Sequence, residues 1–141
     1  MKNHNCYLII LISLCISVAS CSINQTKNGY KTGKWVESKE FMKLESSAIG
    51  RYHKGNKTGT WKYFLGERLV SQEKFKKNSC HVIKYHNTGR IQQIGFSKKY
   101  LIDSKEEWLP TGYWQFYDSE GVLLGTKIYE KGIPVQETYT N

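Results

Sequence analysis

Three copies of the tetrapeptide Thr-Gly-x-Trp punctuate this chain: Thr32-Gly33-Lys34-Trp35, Thr58-Gly59-Thr60-Trp61 and Thr111-Gly112-Tyr113-Trp114. The first two tryptophans are 26 residues apart and the last two 53, close to twice that step. A fixed period of this length is the signature of stacked supersecondary units, each too small to bury its own apolar face. It directs the search for function toward a repetitive surface and away from a single catalytic pocket.

Between the signatures, apolar and polar residues alternate. Trp61, Tyr63 and Leu65 share one parity; Ile83 with Tyr85, and Trp114 with Phe116, repeat the pattern. Side chains on a strand point to opposite faces in turn, so this alternation predicts half-buried strands. Each run leads into a glycine-bearing turn: Leu65-Gly66-Glu67, His86-Asn87-Thr88-Gly89-Arg90 and Asp118-Ser119-Glu120-Gly121. Glycine supplies the positive φ that such turns require. A second strand follows, over residues 69–75, 91–96 and 122–129. That is the grammar of β-hairpins. Four units emerge, starting near Gly33, Gly59, His81 and Gly112, and the third carries Ile83 where the others carry tryptophan. Two stretches break the period: residues 37–44 are expected to form a helical turn, and 100–109 a polar insertion bearing Trp108.

Lys2 followed by an apolar run over 7–18 and the small residues Ala19 and Ser20 predicts a secretory signal peptide, residues 1–20. The run is shorter than the roughly 20 apolar residues a spanning helix needs. Val18-Ala19-Ser20-Cys21 resembles the bacterial lipobox, in which the cysteine is acylated and becomes the first mature residue. The resemblance implies lipidation at Cys21 and anchoring to the membrane through two or three acyl chains, which hold far more firmly than one. Residues 21–28 then read as a polar tether, reaching only roughly 20–25 Å at about 3.3 Å per extended residue, and 29–141 as one repeat domain. Ser22 is not the aspartate that retains many lipoproteins at the inner membrane, so similarity to that sorting rule favours the outer membrane, facing the periplasm.

Cleavage and acylation leave Cys80 as the one thiol, so no internal disulfide is available and Cys80 is expected as a buried small hydrophobe. The mature chain keeps 20 basic and 12 acidic side chains. This excess favours anionic partners; export turns the expectation to an envelope protein or anionic polymer and away from nucleic acid. Lys54, Lys57, Lys76, Lys77, Lys98, Lys99, Lys127 and Lys131 recur near corresponding positions of successive units. Stacking would set them in a row as a candidate basic binding surface, although lysines also blunt exposed strand edges.

The pattern Tyr52-x-x-Gly55-x-x-x-Gly59-x-Trp61-x-Tyr63, followed by a glycine turn and a strand, resembles the MORN-repeat variant of bacterial proteins, over nearly all of residues 29–141. The resemblance implies an all-β fold: an elongated antiparallel sheet of about four hairpin repeats, serving protein contact or membrane association. On this reading Trp35, Trp61 and Trp114 form one ladder, with Tyr63, Ile83, Tyr85 and Phe116 completing the repeat core. Such aromatic pairs contribute about 0.5–1.5 kcal/mol each beyond area burial.

No catalytic constellation is expected. Cys80 and His81 are neighbours on a strand and point to opposite faces, so they do not pair as nucleophile and base. Cys80, His81 and His86 lack zinc-ligand spacing. There is no phosphate-cradling glycine loop and no Gly-x-Ser-x-Gly elbow. No cofactor, metal or enzymatic activity is expected. A non-enzymatic, lipid-anchored envelope protein is the leading reading. An antitoxin-like inhibitor, the label carried by proteins of this pattern, is the alternative, and a small hydrolase or glycan-active enzyme is disfavoured.

Overall fold

The computed structural model describes residues 22–41 and 44–140. The expected signal peptide and Cys21 lie outside the described residues. Those described form ten strands and no helix: β1 (Gln25–Lys27), β2 (Tyr30–Phe41), β3 (Leu44–His53), β4 (Asn56–Leu65), β5 (Arg68–Lys76), β6 (Ser79–Tyr85), β7 (Ile91–Ile102), β8 (Lys105–Tyr117), β9 (Leu123–Glu130) and β10 (Ile133–Tyr139). They make one open sheet in which spatial order equals chain order and neighbouring strands are antiparallel. The protein is all-β, a run of hairpins in which each strand binds its sequence neighbours. The four expected units are the pairs β2 with β3, β4 with β5, β6 with β7, and β8 with β9.

Local chemistry sets the turns. At one end of the sheet the loops are two residues long, and both residues of Lys54-Gly55 (φ 47° and 79°) and Lys131-Gly132 (φ 47° and 85°) are left-handed. Two successive positive φ values make the tight turn whose twist matches that of the flanking strands. At the other end the loops after β6 and β8 stack: the His86 ring meets the Tyr117 carbonyl at 2.8 Å, and the Arg90 guanidinium donates to the Glu120 carbonyl.

The Thr-Gly-x-Trp signature is a bulge within a strand. Ile49 pairs with Lys62 and Arg51 with Thr58, so Gly50 alone faces Gly59, Thr60 and Trp61. Ile94 pairs with Gln115 and Phe96 with Thr111, so Gly95 alone faces Gly112, Tyr113 and Trp114. Gly59 and Gly112 have φ of 63° and 65°, which few L-residues adopt. The extra residues re-aim the tryptophan, and its indole lies where a Cβ on the facing glycine would project. The indole Nε1 of Trp61 donates to the Arg51 carbonyl and that of Trp114 to the Phe96 carbonyl, both at 3.0 Å. Signature and facing glycine are two halves of one lock.

The unit without the signature lacks the other half too. β5 carries no glycine, and β5 pairs with β6 without a bulge. The space is filled by Phe75, Cys80 and Val82, with Trp108 against Phe75 at 5.2 Å between ring centroids. The core on this face comprises Ala48, Trp61, Phe75, Cys80, Val82 and Trp114, backed by Trp35, Tyr52, Tyr63, Trp108, Phe116 and Tyr129.

Four local readings need correction. Ile83 and Tyr85 do not continue the ladder: Val82 pairs with Glu73, which pairs with Trp61, so Val82 shares the tryptophan face and Ile83 points the other way. Residues 37–41 are strand, not a helical turn, because pairing with β3 supplies their hydrogen bonds. Residues 100–109 extend the β7 and β8 hairpin in continuous register, Lys99 opposite Trp108. Gln25–Lys27, expected within the tether, pairs with Tyr30–Thr32 as β1.

Candidate functional site, a basic groove on the curled face

The sheet curls toward its core face. Lys99 on β7 reaches Asn56 at the start of β4, with 3.5 Å between Nζ and Oδ1. In a flat sheet those strands would stand about 14 Å apart, three steps of roughly 4.8 Å. Trp108 and Phe75 meet across the same number of strands. The extended β7 and β8 hairpin thus folds over the sheet and walls a groove of about 1030 Å³.

The groove floor is apolar: Phe75, Cys80, Val82 and Trp114, with Tyr63 and Trp108 at its sides. Its lining brings together five of the eight expected lysines, Lys54, Lys57, Lys76, Lys77 and Lys99, and adds Lys84. Lys98, Lys127 and Lys131 are elsewhere. Lys98 pairs with Ser79 on the opposite face, Lys131 is in the β9 and β10 turn, and Lys127 lies over Phe116 on the neighbouring hairpin. The eight do not form one basic row.

They differ in freedom as well as position. Lys57 lies 4.3 Å from the Trp61 ring centre and donates to the Tyr63 hydroxyl at 3.1 Å; Tyr63 in turn donates to Glu73. Burial, then Glu73, pushes the Tyr63 phenol well above its ordinary range, so it remains a donor. Lys99 pairs with Glu106 at 2.6 Å. Lys127 pairs with Glu137 at 2.9 Å, and the Tyr139 hydroxyl donates to the same carboxylate. Lys54, Lys77 and Lys84 are exposed and keep their charge available at the rim.

A similar cluster on β2 went unseen in the sequence. Lys31 donates to Glu37 at 2.6 Å and Tyr52 to the same oxygen at 3.1 Å, while the ammonium sits 4.4 Å from the Trp35 ring centre. Burial would raise Glu37, but those two donors outweigh it and hold the carboxyl below its usual range. The signal was available: Lys31 and Lys57 each precede a signature tryptophan by four residues.

Cys80 is buried, and burial, then the Glu73 charge, pushes its thiol up to about 12. At neutral pH it is a protonated core group and not a nucleophile. Among the described residues no three His, Cys, Asp or Glu side chains gather in a way that could hold a metal ion.

No protein-family profile matches the chain, and no curated protein matches it. Among solved structures, a chain from "Crystal structure of GtfA/B complex" aligns over 81% of this protein and 20% of its own length, at 10% identity and a TM-score of 0.22. This chain therefore spans about a fifth of that protein.

Proposed function

We propose that this protein is a non-enzymatic component of a bacterial cell envelope, held by acyl chains on Cys21, with a curled basic face that binds another envelope protein or an anionic polymer. One observation carries the binding role: the groove sets exposed Lys54, Lys77 and Lys84 around an apolar, aromatic floor. Charges around an apolar floor give both steering and contact area. The reading as a non-enzyme draws support from the engagement of the groove's reactive groups with one another. Glu73 accepts from Tyr63, Glu106 from Lys99, and burial holds the Cys80 thiol protonated. The MORN-like repeats serve as scaffold in this reading, with the anchor in the outer membrane and the domain in the periplasm.

Two measurements test it. Cys21→Ala should block lipid attachment and release the protein from the membrane fraction; a variant still processed and membrane-bound rules out the anchor. Crosslinking in the native envelope followed by mass spectrometry should return a specific partner, and recovery of none counts against the binding role.

A further inference from the structure

We infer that the groove takes a linear acidic polysaccharide, laid across strands β4 to β7 with its carboxylates on the rim lysines and its sugar faces against the half-buried Tyr63 and Trp108 at the groove's sides. The inference rests on the binding role proposed above and narrows its ligand. Three features of the groove select this chemistry.

The first is charge. Six lysines line the groove against two glutamates, Glu73 and Glu106, and each glutamate already accepts a hydrogen bond from a groove neighbour. An anionic ligand therefore meets uncommitted ammonium groups and no free carboxylate.

The second is the state of the backbone. Each strand from β4 to β7 is paired on both sides, so its main-chain donors and acceptors are consumed within the sheet. A peptide lying across these strands would find no ladder to join, and its own amides would lose water without gaining partners. A polysaccharide carries no such amide burden. Its hydroxyls stay solvated at the open side while its ring faces cover apolar surface.

The third is shape. Trp108 stands edge-on to Phe75 at 77°, so the folded-over hairpin covers the buried Phe75, and the aromatic surface left open to the groove is that of half-buried Trp108 and Tyr63 at its sides. That suits a twisting chain of rings held from two sides. At 3.5 Å the contact of Lys99 with Asn56 is at the long limit of a hydrogen bond. A ligand carboxylate can replace that partner without loss.

Calorimetry on the full-length protein in detergent micelles tests this with polygalacturonate as probe. Dextran, polyglutamate and anionic phosphatidylglycerol vesicles serve as competing chemistries. Polygalacturonate should bind, weaken with added salt, and bind more tightly than polyglutamate, with no heat from dextran. The triple variant Lys54→Gln, Lys77→Gln, Lys84→Gln should lose roughly tenfold in affinity, because each exposed charge pairing is worth a factor of a few. The charge-matched triple Lys34→Gln, Lys62→Gln, Lys74→Gln on the opposite face should leave affinity unchanged. Equal losses from both triples would overturn the groove as the site. Tighter binding of polyglutamate would replace the glycan with an acidic peptide, and retention by vesicles alone would replace it with a lipid surface. Absence of polygalacturonate binding, with a partner still crosslinked in the envelope, would overturn this inference and leave the broader binding role standing.

Discussion

Gly50 lies directly under the indole of Trp61, and the ring nitrogen closes on the carbonyl of the next residue, Arg51, at 3.0 Å. Gly95, Trp114 and Phe96 repeat the arrangement, the glycine 45 residues further along the chain. A methyl group on either glycine would occupy the space of the ring. Gly50→Ala and Gly95→Ala should each cost about 1–3 kcal/mol or more through overpacking. Urea unfolding followed by tryptophan fluorescence reads this as a lowered midpoint, and unchanged midpoints would show that the ring is free to move.

The bulge glycine should respond differently. Gly59 has open space around it, so Gly59→Ala pays only for φ of +63°, about 1–2 kcal/mol. Gly59→Asn should recover part of that loss, since asparagine tolerates the left-handed region. Equal midpoints for the two variants would contradict a backbone origin.

How much of this was legible follows from which interactions are local. The hairpin turns and the signature bulges are written in glycines and alternation, so strand order could be read directly. The facing glycines were legible too, in the repeated Ile49-Gly50 and Ile94-Gly95, but only to a reader who expected a partner for each tryptophan. The third unit was ambiguous because both parities of β6 are apolar: Cys80 and Val82 on one face, Ile83 and Tyr85 on the other. Pairing of Val82 with Glu73 decides between them, and pairing is not a local property. Residues 37–41 contain good helix formers, yet a long partner strand overrides propensity. The groove was least legible, since curling alone brings Lys99 beside Asn56.

The open edge of the sheet carries a guard. The Asn24 side-chain amide donates to the Val36 carbonyl at 3.0 Å and accepts from the Val36 amide at 2.8 Å, occupying the two Val36 groups that a further strand would use there. Asn24→Ala should destabilise the protein by about 1–2 kcal/mol for two lost hydrogen bonds. It should also promote concentration-dependent association through the freed edge. Sedimentation velocity across a concentration series checks this, and a strictly unchanged profile would remove the guard role.

The pH dependence of stability should fall off on both sides of neutrality. The Glu37 carboxyl lies below its ordinary range in the folded state, so its contribution is present above the unfolded value near 4.5 and is lost as pH falls below it. The Cys80 thiol lies above its ordinary range, so its contribution is complete below about 9 and disappears as pH rises toward about 12. Glu37→Gln should reduce the acid limb and Cys80→Ser the alkaline one, to which the raised Tyr63 phenol also contributes, measured by unfolding midpoints across pH.

Placing a photo-reactive amino acid at either of two positions in the living envelope tests the central claim most directly. Lys84 sits at the groove rim, and Lys62 is also exposed, on the opposite face, between Trp61 and Tyr63 in sequence. A discrete crosslinked adduct from position 84 and none from position 62 is the predicted result. Adducts from position 62 alone, or in equal yield from both, would contradict a binding role for the curled basic face.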